Sequence, residues 1–242
     1  MGLSCHPILC VVKPSKKPAR RSWLRRILLG ILLLVVAFYG FIVVSLFALR
    51  VINPPFTGVQ IQRRVESWLA HTKYQKHYRF VPLPQISRDL QHAVVAAEDS
   101  RFFQHHGFDW EEIQNAVNDD LEEVRSRGAS TITQQLVKNL YFTTYRSFLR
   151  KGVEFTIVPL TERILTKQRI LELYLNVIEW GPAGIYGAEA AAEFHYHIAA
   201  AHVDRQQAAR LAAILPSPRR RKPARMGEYS AIILERMTKM GW

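Results

Sequence analysis

The strongest pattern in the chain is an uncharged apolar run at residues 27–49. At about 1.5 Å per residue, a helix of this length spans a hydrocarbon core of roughly 30 Å. Several Lys and Arg residues and no acid precede the run, whereas only Arg50 follows it before the turn-rich NPPFTG. This asymmetry predicts a retained membrane anchor, with the N-terminus in the cytoplasm and everything after residue 50 outside it. A cleaved signal peptide is the alternative, which the length of the run and the lack of a small-residue cleavage site disfavour.

Beyond the anchor, apolar residues recur at helical spacing, and no segment alternates convincingly as a strand does. Ser87 is predicted to cap a helix that continues past Leu90 and Val94 toward Phe102. Thr166 is predicted to cap another helix, and GPAGIYG at residues 181–187 is predicted to be a loop. Further helices are predicted at residues 109–124, at 147–165 with an interruption at Pro159, and at the Ala-rich segments 188–193 and 206–214. The part after the anchor is therefore predicted to be mainly α.

The charge of the chain is unevenly distributed. The formal net charge is +13, and the first 50 residues account for +8 of it because they hold 8 Lys and Arg and no acid. The remaining 192 residues are only mildly basic, so the balance indicates membrane topology and attraction to anionic headgroups. Nucleic acid is not predicted as a partner. Both cysteines, Cys5 and Cys10, precede the anchor, so no disulfide or thiol chemistry is expected outside.

Side chains suited to chemistry concentrate in four short strings. Glu98 begins the first, EDSRFFQHHG, at the edge of an apolar helical face. Desolvation there raises the pKa of a carboxyl group toward the range useful to a general base, with Asp99, Arg101 and His105 close enough to tune it. An ordinary exposed ion pair between Glu98 and Arg101 explains this segment alone equally well.

The other strings add groups that bind sugars and phosphates. GASTITQQLVKN, at residues 128–139, supplies hydroxyls, amides and a lysine, which donate hydrogen bonds to sugar hydroxyls and phosphate oxygens. RKGVE, at residues 150–154, places two cations and a carboxylate on one helical face, with Arg146 one turn earlier. The structural alternative for GASTITQQLVKN is a polar loop that leads into a helix. The structural alternative for RKGVE is an ordinary i,i+4 ion pair. The predicted binding residues are Asp99, Ser130, Thr131, Gln134, Gln135, Lys138, Arg146, Arg150 and Lys151.

In the fourth string, ILELYLN at residues 170–176, the apolar positions are expected to pack the core. Glu172 and Asn176 are candidates for bracing the site. The histidines show no spacing typical of a metal site, and no metal ligand is assigned.

Taken together, the four strings resemble the glycosyltransferase family 51 domain of the peptidoglycan transglycosylases. Family members read ED-x-x-F-x-x-H-x-G, G-x-S-T-I-T-Q-Q, R-K-x-x-E and I-L-E-x-Y-L-N, and this chain matches all four in order between about Pro82 and Pro218. Its length and single anchor resemble the monofunctional enzymes of Gram-negative bacteria. The organisation implied is a cytoplasmic tail (1–26), an anchor (27–49), a membrane-proximal linker (50–80) and a glycosyltransferase domain (81–242).

The resemblance implies a lysozyme-like fold with two helical lobes and a cleft between them. It implies lipid II and the growing glycan as substrates, with Glu98 as the base and Glu154 as the second catalytic carboxylate. It also implies a divalent cation, Mg or Mn, at the pyrophosphate, inner-membrane lipids around the anchor, and other cell-wall synthases as partners. The chain departs from the family at His195 to Ile198, where relatives carry Tyr-Phe-x-Lys, and Pro159 predicts a kink below Glu154.

Two other function classes fit parts of the pattern. A lysozyme-type glycosidase also uses a buried Glu in a helical lobe, but it has no pyrophosphate to neutralise and so no need for the basic group around Lys138 and Arg150. A scaffold without catalytic activity would need neither glutamate. The basic turn Arg219 to Lys222 is predicted to be solvated, with contacts to anionic headgroups or partners as the alternative.

Overall fold

The computed structural model describes residues 20–121, 130–145, 147–182 and 184–242. These ranges contain ten α-helices: α1 (Arg20–Ala48), α2 (Gly58–Leu69), α3 (Arg88–Glu98), α4 (Trp110–Leu121), α5 (Ile132–Tyr141), α6 (Phe148–Ile164), α7 (Lys167–Val177), α8 (Ala188–Tyr196), α9 (Arg205–Ala212) and α10 (Gly227–Lys239). They also contain three short strands: β1 (His77–Tyr78), β2 (Glu179–Gly181) and β3 (Ile185–Tyr186). The predicted mainly α class is confirmed.

The first helix carries the predicted anchor. Within α1, Trp23–Ala48 is the one helix of the described ranges that is long and apolar enough to cross a membrane. The chain divides into two compact units at Ile42 and Val43, inside this helix. All the elements from α2 onward belong to the second unit.

Local signals set the boundaries of α3. The Ser87 hydroxyl accepts a hydrogen bond from the Leu90 backbone N–H at 3.1 Å, which confirms the predicted N-cap. Leu90, Ala93 and Val94, spaced i, i+3 and i+4, are fully buried. The helix ends at Glu98, earlier than predicted, because Asp99 takes an extended φ of −163° and turns the chain away.

The core of the second unit forms where amphipathic helices pack face to face. Helix α3 packs against α9 and α10, and α5 packs against α2, α6 and α7. Ala208, Ala209 and Ala212 of α9 are fully buried, so their small side chains allow the close approach to α3 that the Ala-rich pattern predicted. The largest fully buried side chains are those of Phe102, Tyr174, Trp180 and Tyr186.

The prediction that GPAGIYG is a loop was wrong. Strands β2 and β3 form an antiparallel pair across this segment, and β1 adds parallel to β3 in the order β1-β3-β2. Gly184 and Gly187 have φ of +86° and +85°, and a Cβ at either position would lie within 3 Å of a backbone oxygen. Strands of two or three residues are too short to produce an alternating pattern in the sequence.

Two other expected boundaries also differ. Helix α6 runs unbroken from Phe148 to Ile164 through Pro159, because a proline removes one backbone hydrogen bond while the turns on either side keep theirs. Helix α4 begins at Trp110, and the end of its predicted range, 122–124, lies outside the described residues. The predicted Thr166 cap is confirmed, since its hydroxyl accepts from the Arg169 N–H at 3.2 Å.

Helix α7 fixes the segment that leads into α3. The Asn176 side chain accepts from the Val81 N–H and donates to the Val81 carbonyl, both at 2.9 Å, much as a neighbouring strand would. Glu172 accepts from the Leu83 N–H at 3.3 Å. These two residues therefore brace the entry to α3, the helix that carries Glu98.

Candidate active site

A chain of three side chains ends at Glu98, the last residue of α3. The Gln135 Nε2 donates to a Glu98 carboxylate oxygen at 2.7 Å and to the Ser130 carbonyl at 3.3 Å. The hydroxyl of Tyr174, which is buried in α7, donates to the Gln135 Oε1 at 2.9 Å. Because the tyrosine occupies the amide oxygen, the amide nitrogen must face the carboxylate. Gln135 thus donates to Glu98, and its own orientation is fixed by the hydrogen bond from Tyr174.

The surroundings of Glu98 favour its neutral form. One edge of the side chain remains open to solvent, yet burial of the rest raises the pKa of the carboxyl group. The Gln135 hydrogen bond and the charges of Lys138 and Arg221 act in the opposite direction and only partly offset this desolvation. A carboxylate with such a raised pKa is a stronger proton acceptor than a solvated one.

Asp99 fixes the geometry in which Glu98 meets Gln135. Its Oδ2 accepts from the Ile132 N–H at 2.9 Å, at the N-terminus of α5, where a carboxylate is favoured. Its Oδ1 lies 2.8 Å from the His105 Nε2. The His105 Nδ1 accepts from the Gly107 N–H at 3.1 Å, so Nε2 carries the proton and donates to Asp99. Asp99 thereby ties the end of α3 to the start of α5.

Thr131 and Gln134 form the N-terminal cap of α5. The Thr131 hydroxyl accepts from the Gln134 N–H at 3.2 Å, while the Gln134 Oε1 accepts from the Thr131 N–H at 3.1 Å. The same hydroxyl donates to the Gly107 carbonyl at 2.7 Å. Gly107 has φ of +93°, and a Cβ there would lie 2.5 Å from Val158. Thr131 and Gln134 are buried, and these polar groups bond to the protein itself.

The second carboxylate, Glu154 of α6, lies in a cationic cluster. It is 1% exposed, its Oε1 accepts from the Arg150 guanidinium, and its Oε2 lies 3.6 Å from the Lys151 Nζ. Arg150 also donates from Nε to the Tyr145 carbonyl at 2.9 Å, which fixes its guanidinium. The two positive charges compensate for the burial of the carboxylate.

Lys138 of α5 connects the two carboxylates electrostatically. Burial lowers the pKa of Lys138, and the charges of Arg150 and Lys151 act in the same direction, while Glu154 and Glu98 act to raise it. Its ammonium makes no hydrogen bond or ion pair with the residues that the structure describes. A half-buried cation that has no such partner in the described part of the chain and interacts with two carboxylates is available for an anionic ligand.

Arg221 is a site residue that the sequence did not reveal. Its guanidinium donates to the Ala213 carbonyl at 2.9 Å, lies over the Tyr229 ring, and acts electrostatically on Glu98. The prediction that the whole turn 219–222 is a solvated basic run is therefore wrong for this position. The only signal in the sequence was the run of basic residues itself.

Of the other predicted residues, Ser130 precedes α5 and contributes its carbonyl to Gln135. Arg146 lies outside the described residues. The Nε2 of His195, at the departure from the family pattern, lies 3.2 Å from the Trp180 carbonyl. Helix α8 ends at Tyr196 and is capped by His197, which has φ of +57°.

One group of described residues has the composition of a metal site. Ligand atoms of Asp99, His105 and Asp109 lie within 4.8 Å of one another. Both Asp99 oxygens and both His105 nitrogens already bond to protein groups, and the Asp109 Oδ1 caps α4 by accepting from the Glu112 N–H at 3.0 Å. A cation there would have to displace these bonds.

Comparison with known proteins identifies the family. The sequence model of the transglycosylase family matches residues 65–238. The chain is 44% identical over 196 residues to the biosynthetic peptidoglycan transglycosylase of Pseudomonas fluorescens. This alignment covers 79% of this chain and 81% of the relative. It is 43% identical over 228 residues to that of Aeromonas hydrophila, covering 92% and 95%, and 40% identical over 209 residues to that of Chromohalobacter salexigens, covering 86% and 89%. The chain therefore belongs to the transglycosylase family of glycosyltransferase enzymes, as its four motifs predicted.

Proposed function

We propose that the chain polymerises lipid II into β-1,4-linked glycan strands and releases undecaprenyl pyrophosphate. The observation that carries the proposal is the arrangement around Lys138, a cation that makes no hydrogen bond or ion pair among the described residues and interacts electrostatically with both Glu154 and Glu98. A proton acceptor beside a group of cations suits a sugar transfer with a pyrophosphate leaving group. A hydrolase would need the carboxylate but not the cations.

In this mechanism Glu98 accepts the proton from the 4-hydroxyl of the acceptor sugar. The freed oxygen attacks C1 of the growing glycan, and the bond from C1 to the pyrophosphate oxygen breaks with inversion from α to β. The electron pair of that bond leaves with undecaprenyl pyrophosphate. Negative charge thus develops at the pyrophosphate, so cations fixed there stabilise the transition state.

Lys138, Arg150 and Lys151 supply those cations, and Glu154 holds the last two in place. Arg221 adds positive charge on the Glu98 side, and Ser130 and Arg146 stay candidates for sugar or phosphate contact. We assign Asp99, Thr131 and Gln134 to positioning, because the described hydrogen bonds already use their polar groups.

The divalent cation implied by the resemblance does not fit beside Glu154. Both carboxylate oxygens there have cationic partners, Arg150 and Lys151, and Lys138 adds a third positive charge nearby. A metal ion would have to displace a partner against this repulsion. We therefore derive no step through a metal, and the cationic side chains perform the neutralisation.

We further propose that α1 anchors the enzyme in the inner membrane, with the N-terminal tail in the cytoplasm and the catalytic unit outside. The sole support is the uncharged run and the cations before it. The predicted linker, 50–80, contains α2 and β1, and the family match begins within it, so the boundary at residue 81 stays a prediction.

Incubation of the detergent-solubilised protein with labelled lipid II tests the proposed function. We expect a polymer that lysozyme digests and one polyprenyl pyrophosphate released for each disaccharide added. A glycosidase would instead shorten preformed glycan and leave lipid II unused. A scaffold would change neither substrate, and either result would contradict the proposal.

The pH range over which kcat/KM stays high is expected to be narrower than for an ordinary carboxylate and lysine, because its acid limb shifts up and its alkaline limb shifts down. Glu98 must be deprotonated to act, and its raised pKa moves the acid limb above the ordinary range of a carboxyl group. Lys138 must be protonated, and its lowered pKa moves the alkaline limb below the ordinary range of a lysine. The Lys138→Arg variant keeps its charge, so it should lose the alkaline limb and retain the acid limb. Initial rates on lipid II across pH measure both limbs.

Replacement of Tyr174 by Phe is expected to release Gln135 without changing any group that touches substrate. A neutral hydrogen bond contributes about 0.5–1.5 kcal/mol, so turnover should fall roughly two- to tenfold. Because the Gln135 hydrogen bond lowers the pKa of Glu98, its loss should also move the acid limb to higher pH. Tyr141→Phe, which removes a hydroxyl that shares a hydrogen bond with Ser45 at the C-terminal end of α5, is the matched control. An unmoved acid limb would contradict the positioning role.

A further inference from the structure

A cavity separate from the two glutamates lies beside α2. It has a volume of about 710 Å³ and lies between α2 and the segment 72–76 that leads into β1. Phe56, Gln60, Ile61, Arg64 and Trp68 line it, with Lys76 opposite. The exposed residues Ile61, Arg64 and Trp68 of α2 line this cavity, together with the buried Gln60 of the same helix.

Gln60 in the lining of this cavity has an amide that no described residue satisfies. The residue is 3% exposed, and neither its Nε2 nor its Oε1 makes a hydrogen bond within the described part of the chain. An unpaired buried amide costs free energy, which natural proteins rarely leave uncompensated without a reason. Because Gln60 lines the cavity, its amide can donate to and accept from a ligand bound there.

The rim of the cavity is apolar and exposed. Phe56, Ile61 and Trp68 are 62%, 48% and 73% exposed. Only six residues separate Pro55, also on the rim, from the end of α1 at Ala48, so the chain keeps the two within about 25 Å. Tryptophan is enriched at the lipid–water interface of membrane proteins. With α1 in the bilayer, the short connection therefore keeps Pro55, on this rim, within reach of the membrane surface.

The charges of the lining are positive. Arg64 is exposed and makes no ion pair with the described residues, and Lys76 donates to the Pro55 carbonyl at 3.0 Å and lies over the Tyr78 ring. The lining contains no carboxylate. Two cations above an apolar rim complement an anionic headgroup attached to acyl chains.

We propose that this cavity binds one anionic phospholipid. Arg64 and Lys76 pair with its phosphodiester, the Gln60 amide bonds to the ester and glycerol oxygens, and an acyl chain covers Phe56, Ile61 and Trp68. The site would then fix the catalytic unit at the bilayer surface beside its anchor. The proposal requires membrane anchoring but no particular chemistry at Glu98.

Native mass spectrometry of the full-length protein in micelles containing equal phosphatidylglycerol and phosphatidylcholine tests the proposal. We expect one retained phosphatidylglycerol, at least tenfold in excess over phosphatidylcholine. The double variant Arg64→Gln/Lys76→Gln should lose at least tenfold of this retention. The control Arg88→Gln/Lys239→Gln removes two exposed cations from α3 and α10, and it should retain lipid as the unaltered protein does.

Gln60→Leu separates binding from folding. Leucine removes the unpaired amide, so the lipid-free protein should keep or raise its Tm while retaining several-fold less phosphatidylglycerol. Equal retention of both lipids, or equal retention by the two double variants, would overturn the proposal. Displacement of phosphatidylglycerol by millimolar inorganic phosphate would show that the cavity binds anions in general and would overturn the proposal. Displacement of phosphatidylglycerol by equimolar lipid II would assign the cavity to the substrate and would also overturn it. Polymerisation of lipid II, measured separately, shows whether the proposed activity stands.

Discussion

Replacing Glu98 by Gln is expected to lower turnover of lipid II by about 10²- to 10⁴-fold, the contribution typical of a positioned general base. The substitution keeps the shape of the side chain, and its amide oxygen can still accept the 2.7 Å hydrogen bond from the Gln135 Nε2. The neutral amide cannot take a proton from the acceptor hydroxyl. Because burial disfavours the charged form of Glu98, its neutral replacement should leave the Tm unchanged or slightly higher.

The measurement is the rate at which labelled lipid II enters polymer, with the Tm as a check on folding. Glu193→Gln, the same change at an exposed position of α8, is the matched control and should retain full activity. A Glu98→Gln variant that polymerises at the rate of the unaltered protein would remove the base from the mechanism. It would favour a scaffold function instead.

Signals that depend on near neighbours were predicted correctly from the sequence. The caps at Ser87 and Thr166 were identified because a hydroxyl and a backbone N–H three residues later suffice to form them. The Ala-rich helices were identified because small side chains at helical spacing have few other uses. The motif strings named Glu98, Gln135 and Glu154 as candidates through their specific order along the chain, and the roles of these residues stay predictions.

Features that depend on distant residues were not predicted. Arg221 acts on Glu98 from a different part of the sequence, and no local pattern distinguishes it from its basic neighbours. The contact of Asp99 with the N-terminus of α5 crosses 33 positions, and it explains why α3 stops at Glu98. Strand pairs of two or three residues likewise depend on partners, such as β1 and β3, that are far apart in the chain.

The structure distinguishes the ion-pair alternatives that the sequence left open for the strings containing Glu98 and Glu154. The alternative for the first string, an ion pair of Glu98 with Arg101, does not form, because Arg101 pairs with Glu111 and approaches Asp109. The Arg150 pair with Glu154 does form, as the structural alternative for RKGVE required. That pair and a phosphate-binding role are compatible, since Arg150 retains further donors and the Lys138 ammonium has no hydrogen bond or ion pair with the residues that the structure describes.

Replacing Glu154 by Gln is expected to reduce both stability and activity. The change leaves Arg150 and Lys151 without their anionic partner, and we expect a loss of about 1–3 kcal/mol in the free energy of unfolding, since both cations keep some access to solvent. Loss of one charge-assisted contact that orients Arg150 should lower turnover about 10- to 100-fold. Chemical unfolding and lipid II polymerisation measure the two effects.

The shift of the pH profile distinguishes an electrostatic role of Glu154 from a purely structural one. Glu154 raises the pKa of Lys138, so its neutral replacement should lower that pKa further. Lys138 would then lose its proton at a lower pH, and the alkaline limb of kcat/KM should move to lower pH. Glu154→Asp restores the charge and should return the limb toward its original position. If the limb stays fixed in Glu154→Gln while stability falls, Glu154 supports the fold alone, and the cations bind pyrophosphate without its help.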